Sequence, residues 1–270
     1  MAGAAASYNA PRRSNGVSRN MMGIYTIWLR DVRRFWRDRP RIIGATIQPA
    51  LFLFLLGTGL GRGIVGAFGN DIRGDYLTFI YPGIIGMSIL FTSIFSAISI
   101  VWDREIGFLK EVMVAPISRW AVAVGKAFGG STVAVFQGSL MLIFAPFINV
   151  HITPAIVITL IPVIFLIAFS ITSIGIVVAA RMHSMQGFQI IMNFLVLPMF
   201  FLSGAMFPIT NLPRWMAILV AINPLTYGVD ALRGVILGFS NYSLIANMSI
   251  ISGFGIAMII AAMIIFGKVE

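Results

Sequence analysis

The groups that could do chemistry in this chain crowd into residues 102 to 119, WDREIGFLKEVMVAPISR. Asp103, Arg104, Glu105, Lys110 and Glu111 fall within nine residues there, between apolar runs long enough to cross a bilayer. On helical spacing Trp102, Ile106, Leu109 and Met113 share one face, at i, i+4, i+7 and i+11, and Ala115-Pro116 ends the pattern. The stretch is too short and too charged to span. It reads either as a short amphipathic helix under the membrane, with re-entry at Arg119-Trp120, or as an ordinary polar loop.

No fuel site accompanies these charges. A phosphate-binding loop needs GxxxxGK[ST], whose backbone amides cradle phosphate and whose hydroxyl meets Mg²⁺. Gly125-Lys126-Ala127 has Trp120 where the first glycine belongs and no hydroxyl after the lysine. An ion-coupled relay needs a carboxylate inside a span, and the apolar runs hold none in mid-span. His151 and His183 are 32 residues apart, and with no cysteine there is no metal spacing and no thiol chemistry. No metal and no catalytic residue is expected, and no cofactor bound by this chain.

Composition sets the stage for these residues. Of 270 residues, 59% are hydrophobic and 10% charged, and the mean hydropathy is +0.95. Soluble chains carry roughly 25% charge, so this is a polytopic helical membrane protein. The net charge of +10 flanks the apolar runs, with no basic patch interleaved with aromatics, so nucleic acid is not a partner.

Residues 1 to 20 are small, polar and basic, without a signal-peptide core, and read as a disordered cytoplasmic tail. Residues 21 to 40 form an interfacial helix: Ile24, Ile27, Trp28, Val32, Phe35 and Trp36 lie on one side, Arg30, Arg33, Arg34 and Arg37 on the other. Arginines toward anionic headgroups fit a topological anchor and a docking helix equally. Six spans follow, starting near Arg41, Tyr76, Lys126, Pro154, Gln186 and Leu244. Lys126, just inside its span, is placed to snorkel to the interface. Residues 204 to 238 are neither loop nor span. Asn211 before Pro213, and Asn223 before Pro224, each place a cap next to a helix-starting proline, so two short re-entrant helices are expected, with Asp230 and Arg233 spaced to pair. With the N-terminus inside, fifteen of the nineteen Lys and Arg are cytoplasmic, leaving Arg62, Arg73, Arg214 and Arg233 outside. That asymmetry puts both termini in the cytoplasm of a multi-pass cell-membrane protein.

The chain resembles the membrane subunit of ABC type-2 transporters, the permease family of drug, antibiotic and polysaccharide exporters. The resemblance rests on Trp102 through Leu109 with Val114 to Arg119 and Gly125-Lys126. It rests also on Phe201 through Pro208, Leu212-Pro213, Asn223 through Tyr227, and Asp230 through Arg233, and it covers the chain from residue 21 onward as one domain. It implies that residues 21 to 40 are a connecting helix and that residues 204 to 238 are external re-entrant helices. Within 103 to 119, Arg104, Glu105, Gly107, Lys110 and Glu111 would couple to a separate ATPase subunit that holds ATP and Mg²⁺. A second permease copy, identical or paralogous, and membrane lipids complete the expected partners. The expected activity is export of an amphiphilic, drug-like or lipid-linked substrate by alternating access. Gln48, Phe52, Asn193, Phe200 and Phe201 are the candidates to line its path. A stand-alone secondary transporter would need inverted repeats and a mid-membrane ion site. A lipid-modifying enzyme would need a nucleophile with a base, or a metal. Neither set is present in the sequence.

Overall fold

The computed structural model describes residues 16–59, 75–107, 117–209 and 212–268, and among these it is helical without strands. Ten α-helices follow in order: α1 Gly16–Arg37, α2 Arg39–Gly59, α3 Tyr76–Ser96, α4 Ile98–Glu105, α5 Arg119–Leu140, α6 Pro154–Ala179, α7 Met185–Phe201, α8 Arg214–Ile222, α9 Pro224–Leu237 and α10 Leu244–Lys268. α4 continues α3 beyond a break at Ala97, and a 3₁₀ segment, Met141–Ile148, continues α5.

Local chemistry sets the ends. The Asp38 carboxylate accepts from Arg41 N at the start of α2, beside Pro40. Thr153 caps α6 ahead of Pro154, Ser184 caps α7, and Asn223 caps α9 ahead of Pro224. Asn149, at φ 55°, closes the 3₁₀ segment in the left-handed region that asparagine tolerates. Asn211, the other expected cap, lies outside the described residues, and α8 starts directly after Pro213.

Tertiary contacts give every helix a direction. Five stretches are long and apolar enough to cross a bilayer: Arg39–Gly59, Tyr76–Glu105, Arg119–Ile148, Pro154–Ala179 and Leu244–Gly267. Gly57 of α2 sits against Leu77, and the Tyr81 hydroxyl donates to Met141 O past the end of α5. Arg104 reaches Ala180 O and Met182 O past the end of α6, and Arg119 reaches Gly267 O on α10. α7 has only 17 residues, yet its first amide, Met185 N, bonds to Glu105, while Met199 O, near its far end, accepts from Asn223. It therefore runs from the Glu105 end as far as the junction of α8 and α9, and among the described residues the crossings number five by length, or six if α8 and α9 count as one. The chain leaves α10 at the end where α1 packs, since Asn20 bonds to Ser118 beside Arg119.

α8 and α9 make no straight crossing, because they meet at 78°. A Cβ on Gly86 would strike Val229 and approach Leu225 near the start of α9, whereas Arg233, further along α9, lies 4.3 Å over the Phe79 ring. α9 thus climbs from the depth of Gly86 back toward Tyr76. Ten residues at 1.5 Å rise put the bend about 15 Å below the Tyr76 end, roughly half a bilayer.

α1 departs from the expected helix in two ways. It begins at Gly16, inside the stretch read as tail, because the Asn20 side chain bonds both Ser118 Oγ and Ser118 N. It also does not lie flat beneath the bundle. Gly23 meets Ile117, Ile27 meets Gly125, Asp31 meets Gly129, and the Trp36 ring packs tilted against Phe136 with centroids 4.5 Å apart, so α1 and α5 run side by side. Gly125 and Gly129 open a groove that admits the Ile27 and Asp31 side chains, and a Cβ at either glycine would crowd them.

Candidate functional site: a buried charge cluster beside the 103–119 loop

The charged stretch of the sequence divides at Gly107. α4 ends at Glu105, and Gly107 adopts φ +79°, with its amide on Arg104 O. A left-handed glycine after the last turn is a common helix stop. Trp102 and Ile106 are exposed at the end of α4, and Leu109 and Met113, the rest of the expected face, lie outside the described residues. Lys110 and Glu111 lie outside the described residues.

On the α4 side the charges turn inward. Lys126 is 4% exposed, so it does not snorkel. Its Nζ donates to Asp103 Oδ2 at 3.1 Å, to Asp31 Oδ1 at 3.2 Å and to Ser99 Oγ at 2.8 Å. Arg30 reaches the same Asp103 oxygen at 2.6 Å. Two cations and two carboxylates thus join α1, α4 and α5. An unpaired ammonium in such a place would lose its hydration without return; here all three of its protons have acceptors. Arg30, expected on the headgroup side of α1, instead faces this cluster. Arg33 and Arg37 are exposed as expected, and Arg34 lies 5.8 Å over the Trp102 ring. Trp28 donates its indole N–H to Thr132 Oγ1 at 3.0 Å, which anchors it to α5.

The next turn fastens α4 to the hinge between α6 and α7. Arg104 donates to Ala180 O at 2.8 Å and to Met182 O at 2.5 Å, satisfying carbonyls that the end of α6 leaves open. Glu105 accepts from Met185 N at 3.0 Å at the start of α7, where a carboxylate suits the exposed amides and the helix dipole. Two of the five residues expected to couple to a partner, Arg104 and Glu105, therefore already hold the end of α4 to α6 and α7. Glu105 remains exposed beside that bond.

The opposite end has its own polar knot. Asp230, 2% exposed, does not pair with Arg233. Its oxygens accept from Asn241 N and Nδ2, from Tyr242 N and from Asn247 Nδ2, all at 2.8–3.0 Å, which ties α9 to the start of α10. Arg233 donates to Gly204 O at 2.8 Å. Asn223 holds Met199 O, and Pro224 begins α9 beside it.

Of the candidate path residues, Gln48, Phe52, Asn193 and Phe201 are exposed on α2 and α7. Phe200 is not. At 2% exposure it is core, because α7 turns that side toward its neighbours and presents Phe201 outward. Asp31 has no assigned role in the sequence reading, and the joining of Ser99, Asp103 and Asp31 on one ammonium is not foreseen there. One signal pointed to them: a lysine inside an apolar run requires acids nearby.

The family model for ABC-2 type transporters matches residues 22–237. A transport permease, ycf38, of Cyanophora paradoxa is 29% identical over 201 residues, 73% of this chain and 68% of its own length. The inner membrane transport permease YadH of Escherichia coli is 25% identical over 249 residues, 88% of this chain and 93% of its own. Nodulation protein J of Rhizobium leguminosarum is 28% identical over 230 residues, 80% and 87% respectively. With its apolar helices and a family match over most of its length, the chain is a multi-pass membrane protein and belongs to the ABC-2 type transporter family.

Proposed function

We propose that the chain is the permease subunit of an ATP-driven exporter. A separate ATPase binds ATP and Mg²⁺, docks on residues 103–119 from the cytoplasm and drives alternating access; two permease copies line the path of an amphiphilic substrate. Both termini are cytoplasmic, and the α8–α9 hairpin faces outward. The observation that carries this reading is the Lys126 cluster. It binds α4, which leads into the 103–119 loop, to α5, which leads out of it, and to α1. Displacement of the loop is thereby delivered to α3 and α5 as one body. Arg104 and Glu105 extend the same linkage to α6 and α7. Lys110 and Glu111 are left to contact the ATPase.

The test is recovery of the partner. Affinity-purified permease should bring down a P-loop ATPase in stoichiometric amount, and replacing residues 108–113 with a Gly-Ser linker should abolish that recovery while insertion persists. Purification of transport-competent permease without any ATPase would overturn the reading.

A further inference from the structure

Between α1, α2 and α3 lies a cavity of about 360 Å³ with one cationic side chain, Arg41, on its wall. That volume is in the range of small-ligand sites. Phe35, Pro49, Met87, Phe91 and Phe95 line it as an apolar channel, and Gln48 adds an amide.

Three features mark it as a site and not a packing gap. The Arg41 guanidinium makes no hydrogen bond and no ion pair among the described residues; only its backbone N–H is used, by Asp38. A guanidinium has five donors in a fork that matches phosphate. Thr92 is 6% exposed and lines the same cavity, yet its hydroxyl has no partner, not even the carbonyl one turn back. The depth also fits. Arg41 shares the cavity with Phe95 and Ile98, which follow Tyr76 by about twenty residues, or about 30 Å of helix, one hydrocarbon thickness. Arg41 therefore stands at the bilayer boundary opposite Tyr76, with the apolar channel on its membrane side.

We propose that this cavity binds a phosphate-bearing bilayer lipid, the phosphate on Arg41 and Thr92 and one acyl chain along Met87, Phe91 and Pro49. A free anion would leave the apolar wall uncovered, and a neutral hydrocarbon would leave the guanidinium and hydroxyl unanswered. The lipid is a resident ligand that fills the seam between α2 and α3. The proposal does not rest on the transport reading, because binding is measured on the permease without its ATPase.

The experiment is native mass spectrometry and thermal unfolding of the delipidated chain, titrated with phosphatidylglycerol in neutral detergent. One lipid per chain is expected, with a rise in melting temperature. Arg41→Gln should weaken binding at least tenfold and abolish the lipid-induced rise, read for each variant against its own lipid-free melting temperature. Arg41→Lys should retain part of the binding, Thr92→Val should lose about threefold, and Arg181→Gln should match the wild type. Equal binding by Arg41→Gln and wild type overturns the proposal. So does inorganic phosphate binding as tightly as the lipid, which would make this a free-anion site. Loss of the bound lipid on ATP turnover in the assembled complex also overturns it, since the cavity would then hold cargo.

Discussion

A lysine that is 4% exposed is stable only while its acids stay in place, and this sets the first prediction. Lys126→Met leaves Asp31 and Asp103 facing each other with only Arg30 between them. Breaking a buried ion pair costs about 3–5 kcal/mol, so the variant should unfold well below the wild type in detergent. Adding Asp103→Asn should restore part of the loss, because it removes the uncompensated charge. An unchanged melting temperature for the single variant would show that the cluster is solvated. In the sequence Asp31 was readable in principle: it follows Ile27 by one turn and so falls on the apolar side of an arginine-rich helix. What the sequence could not supply was the depth at which α1 packs, and hence that Asp31 and Asp103 share one ammonium. The spacing of Asp230 and Arg233 misled for a related reason. Helical proximity allows a pair, but the loop after α9 offers Asp230 two backbone amides at 2.8 and 3.0 Å.

Helices were more legible than their partners. The five long spans and the break at Asn223-Pro224 follow from apolar length and from cap chemistry local to a few residues. The placement of α1 does not, because an apolar stripe says that something covers it and not whether that is lipid or another helix. Gly125 and Gly129 decide the matter by letting α5 approach. A cysteine pair at Asn20 and Ser118, whose side chains bond at 3.0 Å, should therefore cross-link readily. Gly125→Leu with Gly129→Leu should prevent it by lifting α1 from α5. Cross-linking unaffected by both leucines would place α1 elsewhere, in keeping with a helix lying flat at the interface. Of the stretch from 102, read as either an amphipathic helix or a polar loop, the described part ends its helix at Glu105, and Gly107 turns the chain at φ +79°; apolar periodicity carries no information about that angle.

For the molecule as a whole, two statements can be checked without knowing the substrate, and the absence of cysteine makes both assays clean. Cysteines at Ser7, Arg181 and Glu270 should be shielded from an impermeant thiol reagent in intact cells, and ones at Asn70 and Asn211 should label; labelling at 181 from outside would overturn the six-crossing topology. The central claim is that force enters at the charged loop and reaches the spans through the cluster. Asn193, exposed midway along α7, is a suitable reporter. A single cysteine there, in the permease assembled with its ATPase, should change its labelling rate by at least tenfold between the nucleotide-free and ATP-trapped states. With Lys126→Met and Asp103→Asn combined, the ATPase should still bind and hydrolyse while that change disappears. A nucleotide-dependent change of full size in the double variant, or none in the wild type, would contradict the account.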